Sequence, residues 1–399
     1  MIILSYKYRL KPSTEQVVVL QEQLRLCRLT YNTLLEHSLN ERKAGHGTPT
    51  HKALTYLIPA MKARTPELNT VFSQVLQNVA KRVRSGFEGY WARKRAGLKA
   101  HLPRFRGEDR YDSLTYPQLG FWLKDGVLCL SKIGDVRIVQ HRPIEGKVKT
   151  LTVTRGRAGK WYAVFSSEVE VKPIRNRLPA VGVDLGLNSL VALSDGTLIE
   201  APRSYRNAES RLRSVQRSLS RKRRGSKNRE KARRRVASVC ERVANRRRDY
   251  AYKTARMIVN RYERVYVEDL NVQSMMGNRG LSKSLGDAGW GMLRNALTYM
   301  AERSEGVTVF VNPRNTSQLC SRCGAYVRKD LSMRVHRCPE CGLTIDRDVN
   351  AALNVLKRGL KIGLERAEYS PVGEVTATQL IEVGQVASVS QEAHLFRGG

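Results

Sequence analysis

Acidic residues are scarce in this sequence: 36 Asp and Glu stand against 71 Lys and Arg in 399 residues, a formal net charge of +35. That imbalance exceeds what solubility requires and points to a polyanionic partner. Nucleic acid fits better than a membrane surface, because the basic residues run through every segment and no amphipathic lipid-anchoring helix stands out. No apolar run approaches the ~18 residues of a membrane span. The first residues, MIILSYKYRLKPS, are too short and too charged for a signal peptide. A soluble, cytoplasmic protein is expected. Cysteine is sparse as well: four of the seven fall in one cluster and Cys27, Cys129 and Cys240 are scattered, which suits a reducing compartment better than a disulfide framework. There is no P-loop or glycine-rich nucleotide motif, and the seven histidines are dispersed.

The cysteine cluster is the sharpest local signal. Cys320-x-x-Cys323 is followed after fourteen residues by Cys338-x-x-Cys341, and each pair precedes a glycine, Gly324 or Gly342, that lets the backbone turn around an ion. That spacing is what tetrahedral thiolate coordination needs. Four thiolates leave zinc no open position, so one structural Zn²⁺ is expected to hold a small lobe together.

Taken in order, residues 2–10 read as a strand, and Ser13 and Gln16 are spaced as a capping box opening a helix with apolar residues at Val17, Leu20, Leu24, Cys27, Tyr31 and Leu34. Further helices are expected at about 53–61 and 67–95, the last ending in YWARKRAG, where Tyr90, Trp91 and Arg93 form a candidate stacking and backbone contact. From 102 to 171 short alternating runs broken by Gly and Pro suggest a small β-barrel, with the helices inserted after its first strand. Residues 203–248 carry nineteen Lys and Arg against three Glu. A block this dense repels itself without a counter-anion. Arg221, Lys222, Arg223, Arg224, Arg233, Arg234 and Arg235 are therefore candidate phosphate contacts.

Acids recur at strand and helix ends. Strand parity puts Gly182 and Asp184 on one face of a strand in PAVGVDLGLNSL, and Tyr266 and Glu268 on one face of another in RVYVED. Residues 287–306 read as a helix and 307–311 as a strand. After the cysteines, Val349, Ala352, Leu353 and Leu356 mark a last helix, at whose start either Asp346 or Asp348 can be an N-cap. This order matches a ribonuclease-H-like α/β layer, in which three acids from separate elements converge. Such a set suits phosphodiester hydrolysis with two Mg²⁺ ions, because magnesium prefers hard oxygen ligands.

RLKPSTEQ, YNTLLE, LPRF, VGVDLGLNSLVALSDG, VEDLNV, GWGMLRNALTYMA, NPRNTSQLCSRCG and CPECGLTIDRDVNAALNVL together resemble the transposon-associated TnpB proteins, relatives of compact type V CRISPR effectors. The match runs nearly end to end. It implies a multidomain α+β protein with a RuvC-type nuclease domain (176–318 and 343–361) interrupted by a four-cysteine zinc knuckle (319–342). A wedge β-barrel (1–11 and 100–175) would carry a helical recognition segment (12–99), with a poorly ordered tail over 362–399. The resemblance further implies an RNA-guided DNA endonuclease, one chain per guide RNA, acting on double-stranded DNA beside a short flanking motif. The implied catalytic, Mg²⁺- or Mn²⁺-binding acids are Asp184, Glu268 and Asp348, the last chosen by its match to Asp-x-Asn before a small residue; the implied zinc ligands are the four cysteines. A catalytically silent RNA-guided DNA binder, a DNA transposase and a zinc-stabilised RNA-binding or structural protein are the alternatives.

Overall fold

The computed structural model describes residues 1–170, 178–330 and 332–368. Strand β1 (Ile2–Lys11) leads into helices α1 (Thr14–Lys43), α2 (His51–Arg64) and α3 (Ser73–Arg95). Six strands follow: β2 (Ser113–Tyr116), β3 (Phe121–Lys124), β4 (Val127–Leu130), β5 (Gly134–Val139), β6 (Lys147–Arg155) and β7 (Trp161–Val169). Then come β8 (Ala180–Leu185), β9 (Ser189–Leu193), β10 (Leu198–Glu200), α4 (Glu209–Ser220), α5 (Lys227–Val259) and β11 (Arg264–Glu268). The chain continues through α6 (Val272–Met275), α7 (Arg279–Ala288), α8 (Trp290–Arg303), β12 (Val307–Val311), β13 (Val335–Arg337), β14 (Thr344–Asp346) and α9 (Arg347–Glu368).

Two compact units result. The first comprises mainly residues 1–170 and 203–253; the second comprises 178–202, 254–302 and 306–368. In the first, a seven-stranded sheet of order β2-β6-β7-β1-β5-β4-β3 nearly closes on itself. Only a four-residue turn separates its two edge strands, and across it the rings of Tyr116 and Phe121 lie 6.4 Å apart. The helices inserted after β1 start as the sequence predicts: the Ser13 hydroxyl accepts from Gln16 N, and the Gln16 side chain accepts from Ser13 N. Half-buried Arg82 of α3 ties that helix to β2 by donating to Ser113 O and Thr115 Oγ1. The helix expected over 67–95 begins instead as a 3₁₀ turn, Pro66–Thr70, before α3, because Pro66 fixes the chain at the start of a tight turn.

The basic segment of 203–253 groups with this first unit. The reason is local packing. Glu241 of α5 accepts from Lys160 Nζ at 2.9 Å and from the hydroxyl of Tyr162 on β7.

The second unit has a five-stranded sheet of order β10-β9-β8-β11-β12, in which β8, β11 and β12 are parallel and β9 and β10 return antiparallel. Helix α9 presses on one face of it. A Cβ on Gly182 would lie 2.0 Å from Ala352 O, and one on Gly359 would lie 2.0 Å from the Tyr266 ring. Both glycines are therefore required by close approach rather than by backbone conformation. The single helix expected over 287–306 is instead two, split at Gly289, whose φ of +68° ends α7 in a left-handed cap. Helix α9 continues to Glu368, beyond residue 361 where the sequence reading stops it; the expected tail lies outside the described residues from 369 onward. Among the described residues no helix is long and apolar enough to cross a membrane.

Candidate active site

Parallel pairing of β8 and β11 sets Val181 against Val265 and Val183 against Val267, so Asp184 and Glu268 end level on neighbouring strands. They share the face that α9 covers, as period-two alternation requires. Asp348, in the first turn of α9, reaches the same place: its Oδ2 lies 3.6 Å from the Cβ position of Gly186. Burial first, and then the negative charges of Glu268 and Asp348, push the Asp184 carboxyl well above the ordinary range. Burial also raises Glu268, against the lowering effect of hydrogen bonds from Thr316 and Asp184 and of the Arg358 charge. Asp348 is raised by burial and by Asp346, with Arg334 and Arg347 opposing. Three acids from three elements thus crowd one another at the C-terminal end of two parallel strands. A divalent cation would relieve that repulsion, and its hard oxygen preference matches the donor set.

Neighbouring acids have other partners. Asp346 Oδ1 accepts from Asp348 N at 2.8 Å and Val349 N at 3.1 Å, making it the N-cap of α9. Asp269 is exposed and pairs with Arg294 at 2.7 Å. Trp290 donates from its indole to Gly186 O at 3.0 Å, bracing the turn after Asp184.

The four cysteines also meet. Their sulfurs all lie within 4.8 Å of one another, with Cys320 and Cys341 at 3.6 Å and Cys323 and Cys338 at 3.6 Å. Tetrahedral zinc with Zn–S bonds of ~2.3 Å sets sulfurs about 3.8 Å apart, so the cluster fits that ion. Burial alone would raise the Cys320 thiol, but the Cys323 N–H, the His336 side chain and the Arg322 N–H bring it down to about 5. Fully buried His336 in turn contacts Lys329 Nζ through Nδ1.

The residues around both clusters interlock. Thr316 Oγ1 lies 2.5 Å from Glu268 Oε1 and 2.9 Å from Pro313 O. Asn354 donates to Thr316 O and Leu319 O, both at 2.8 Å. Asn350 donates to Leu319 O at 2.8 Å and accepts from Ser321 N at 2.9 Å, bracketing Cys320. Thr316, Asn350, Asn354 and Trp290 were missed in the sequence. The one usable signal was two asparagines four residues apart on the apolar stripe of the last helix.

The candidate nucleic-acid contacts lie apart from these clusters in the chain. Arg221, Lys222, Arg223 and Arg224 are exposed in the turn between α4 and α5, where Gly225 takes φ +82°. Arg233, Arg234 and Arg235 are exposed on α5, with Arg234 paired to Glu230 at 2.6 Å. Tyr90 and Trp91 are half-buried and packed edge to face at 4.9 Å, with the Arg42 guanidinium 5.8 Å from each ring. Arg93 is exposed and donates through Nε to Lys99 O at 3.0 Å.

Comparison with known proteins gives this geometry a family. A Streptomyces pristinaespiralis protein provisionally named an RNA-guided DNA endonuclease is 34% identical over 367 residues, covering 89% of each chain. The chain belongs to the TnpB family. A second TnpB relative, InsQ of Escherichia coli K12, named in the same provisional way, is 32% identical over 89% of this chain and 92% of its own. Three family models match: "Probable transposase" at 164–279, "Cas12f1-like, TNB domain" at 290–355 and "Helix-turn-helix domain" at 1–47. Residues 1–47 form one strand and one long helix, β1 and α1, and no helix-turn-helix. The fold resembles Cas12f1 as seen in a Cas12f1–sgRNA–target DNA complex, with TM-score 0.55, 16% identity and coverage of 86% of this chain and 83% of that one.

Proposed function

We propose that this TnpB chain is an RNA-guided DNA endonuclease that hydrolyses phosphodiester bonds at Asp184, Glu268 and Asp348. The observation that carries this reading is the convergence of those three buried or half-buried carboxylates from β8, β11 and α9. The second unit is then a ribonuclease-H-like, RuvC-type nuclease domain interrupted by a zinc knuckle at Cys320, Cys323, Cys338 and Cys341. Two Mg²⁺ or Mn²⁺ ions bound by the acids would activate water and stabilise the leaving oxygen. The acids would hold the cations, Trp290 and Thr316 would keep the site's geometry, and base pairing would read sequence. The nearly closed sheet and α1–α3 would act as wedge and recognition segments. Exposed Arg221, Lys222, Arg223, Arg224, Arg233, Arg234 and Arg235, with Tyr90, Trp91 and Arg93, would hold guide RNA and target DNA.

The test is to purify the protein with co-expressed RNA and to assay a plasmid bearing a guide-matched target, with Mg²⁺ or EDTA. Cleavage should require the RNA and the metal, and Asp184→Ala should lower its rate by a factor of about a thousand or more while RNA binding persists. Cleavage that survives Asp184→Ala or needs no RNA contradicts the proposal. Binding without cleavage in the wild type would mark a silent RNA-guided binder.

A further inference from the structure

Glu268 is a buried carboxylate at 5% exposure, and an acid so placed needs a donor if it is to stay charged for a cation. Its donor outside the acid cluster is the hydroxyl of Thr316, 2.5 Å from Oε1 and itself 4% exposed. A threonine hydroxyl carries one proton, and here it faces two acceptors, Glu268 and Pro313 O. The ionised carboxylate is the stronger acceptor, so the O–H turns to Glu268 when that acid is charged. The hydroxyl is not free to wander. The Thr316 carbonyl is held by Asn354 of α9, the helix that also carries Asp348, and the same amide holds Leu319 next to the first cysteine.

We infer that Thr316 is a positioning residue for Glu268: its hydroxyl fixes the carboxylate in the orientation that receives a divalent cation, and Asn354 keeps the hydroxyl there. The inference rests on the proposed nuclease reading, and it adds a residue in the segment between β12 and the cysteines to a site otherwise built from β8, β11 and α9. It also gives the knuckle a mechanical role. The loop that presents Thr316 runs directly into Cys320, and Asn350 and Asn354 clamp that junction to α9.

The test compares Thr316→Val, which keeps the shape and removes the donor, with Thr316→Ser, which restores it. In RNA-free full-length chain, Mn²⁺ binding at the acids is taken as the electron-paramagnetic-resonance signal lost in Asp184→Asn. In the RNA complex, cleavage is titrated with Mn²⁺. Thr316→Val should weaken Mn²⁺ binding and raise the half-saturating Mn²⁺ by about tenfold, the usual effect of losing a group that orients a metal ligand. The zinc content per chain and the melting temperature should stay close to wild type, and Thr316→Ser should restore the affinity. Unchanged Mn²⁺ affinity in Thr316→Val overturns the inference, as does a loss of zinc or of folding in Thr316→Val with no recovery of Mn²⁺ affinity in Thr316→Ser. A wild-type chain that neither binds Mn²⁺ at the acids nor cleaves would instead overturn the nuclease reading.

Discussion

At the scale of single residues, protonation decides how the acid cluster behaves. Asp184 and Glu268 both hold their protons to higher pH than an exposed carboxyl does. A raised carboxyl pKa means that the proton, not the cation, occupies the oxygens as pH falls through the folded value. The half-saturating Mg²⁺ for cleavage is therefore expected to rise on acidification, by about tenfold per pH unit for each proton displaced. Titrating Mg²⁺ across the neutral and mildly acidic range checks this, and a pH-independent requirement would contradict it. That Glu268 shares a face with Tyr266 was legible in the sequence, because alternation along a strand is rigid; the next acid, Asp269, is exposed and paired with Arg294. The choice between Asp346 and Asp348 was not legible from the residues themselves, since a helix cap and a metal ligand both call for Asp at a helix start. Two backbone donors to Asp346 settle which of them caps. Thr316 was invisible for a different reason: a loop residue carries no periodicity.

At the scale of elements, the acids are only as well placed as α9 is. The helix lies so close to β8 that Gly182 has no room for a methyl group, with backbone atoms of Ala352 and Leu356 at 2.0 Å and 2.6 Å from the Cβ position. Gly182→Ala should cost about 1–3 kcal/mol, or more where the helix cannot shift. It should also depress cleavage by moving Asp348 relative to Asp184. Denaturant unfolding and cleavage rate measure the two effects; a variant with wild-type stability and rate would show that α9 yields freely. Long amphipathic helices and alternating strands were readable because burial of one face imposes a period. The break at Gly289 escaped that reading, since apolar spacing continues through it and only the backbone conformation interrupts the helix. Strands β13 and β14, three residues each, are too short to show a period at all.

At the scale of the whole molecule, charge is the dominant feature. With a net +35, binding of guide RNA should weaken steeply with salt, because each phosphate contact releases counterions. Replacing Arg221, Lys222, Arg223 and Arg224 together by alanine should reduce the slope of log affinity against log salt by about three, at ~0.7–0.9 per contact. Salt-titrated RNA binding reads this directly, and an unchanged slope would show that the turn between α4 and α5 touches no phosphate. The order of the strands in the second sheet carries a further meaning. Its parallel core is assembled from β8, β11 and β12, and the third acid arrives only with α9, the last described element. A chain still being made on the ribosome therefore holds Asp184 and Glu268 long before Asp348 emerges. Asp184, the basic segment of 203–248 and Glu268 are all synthesised before it, so on the proposed reading a chain that stops short of α9 keeps its basic surface with an incomplete set of acids.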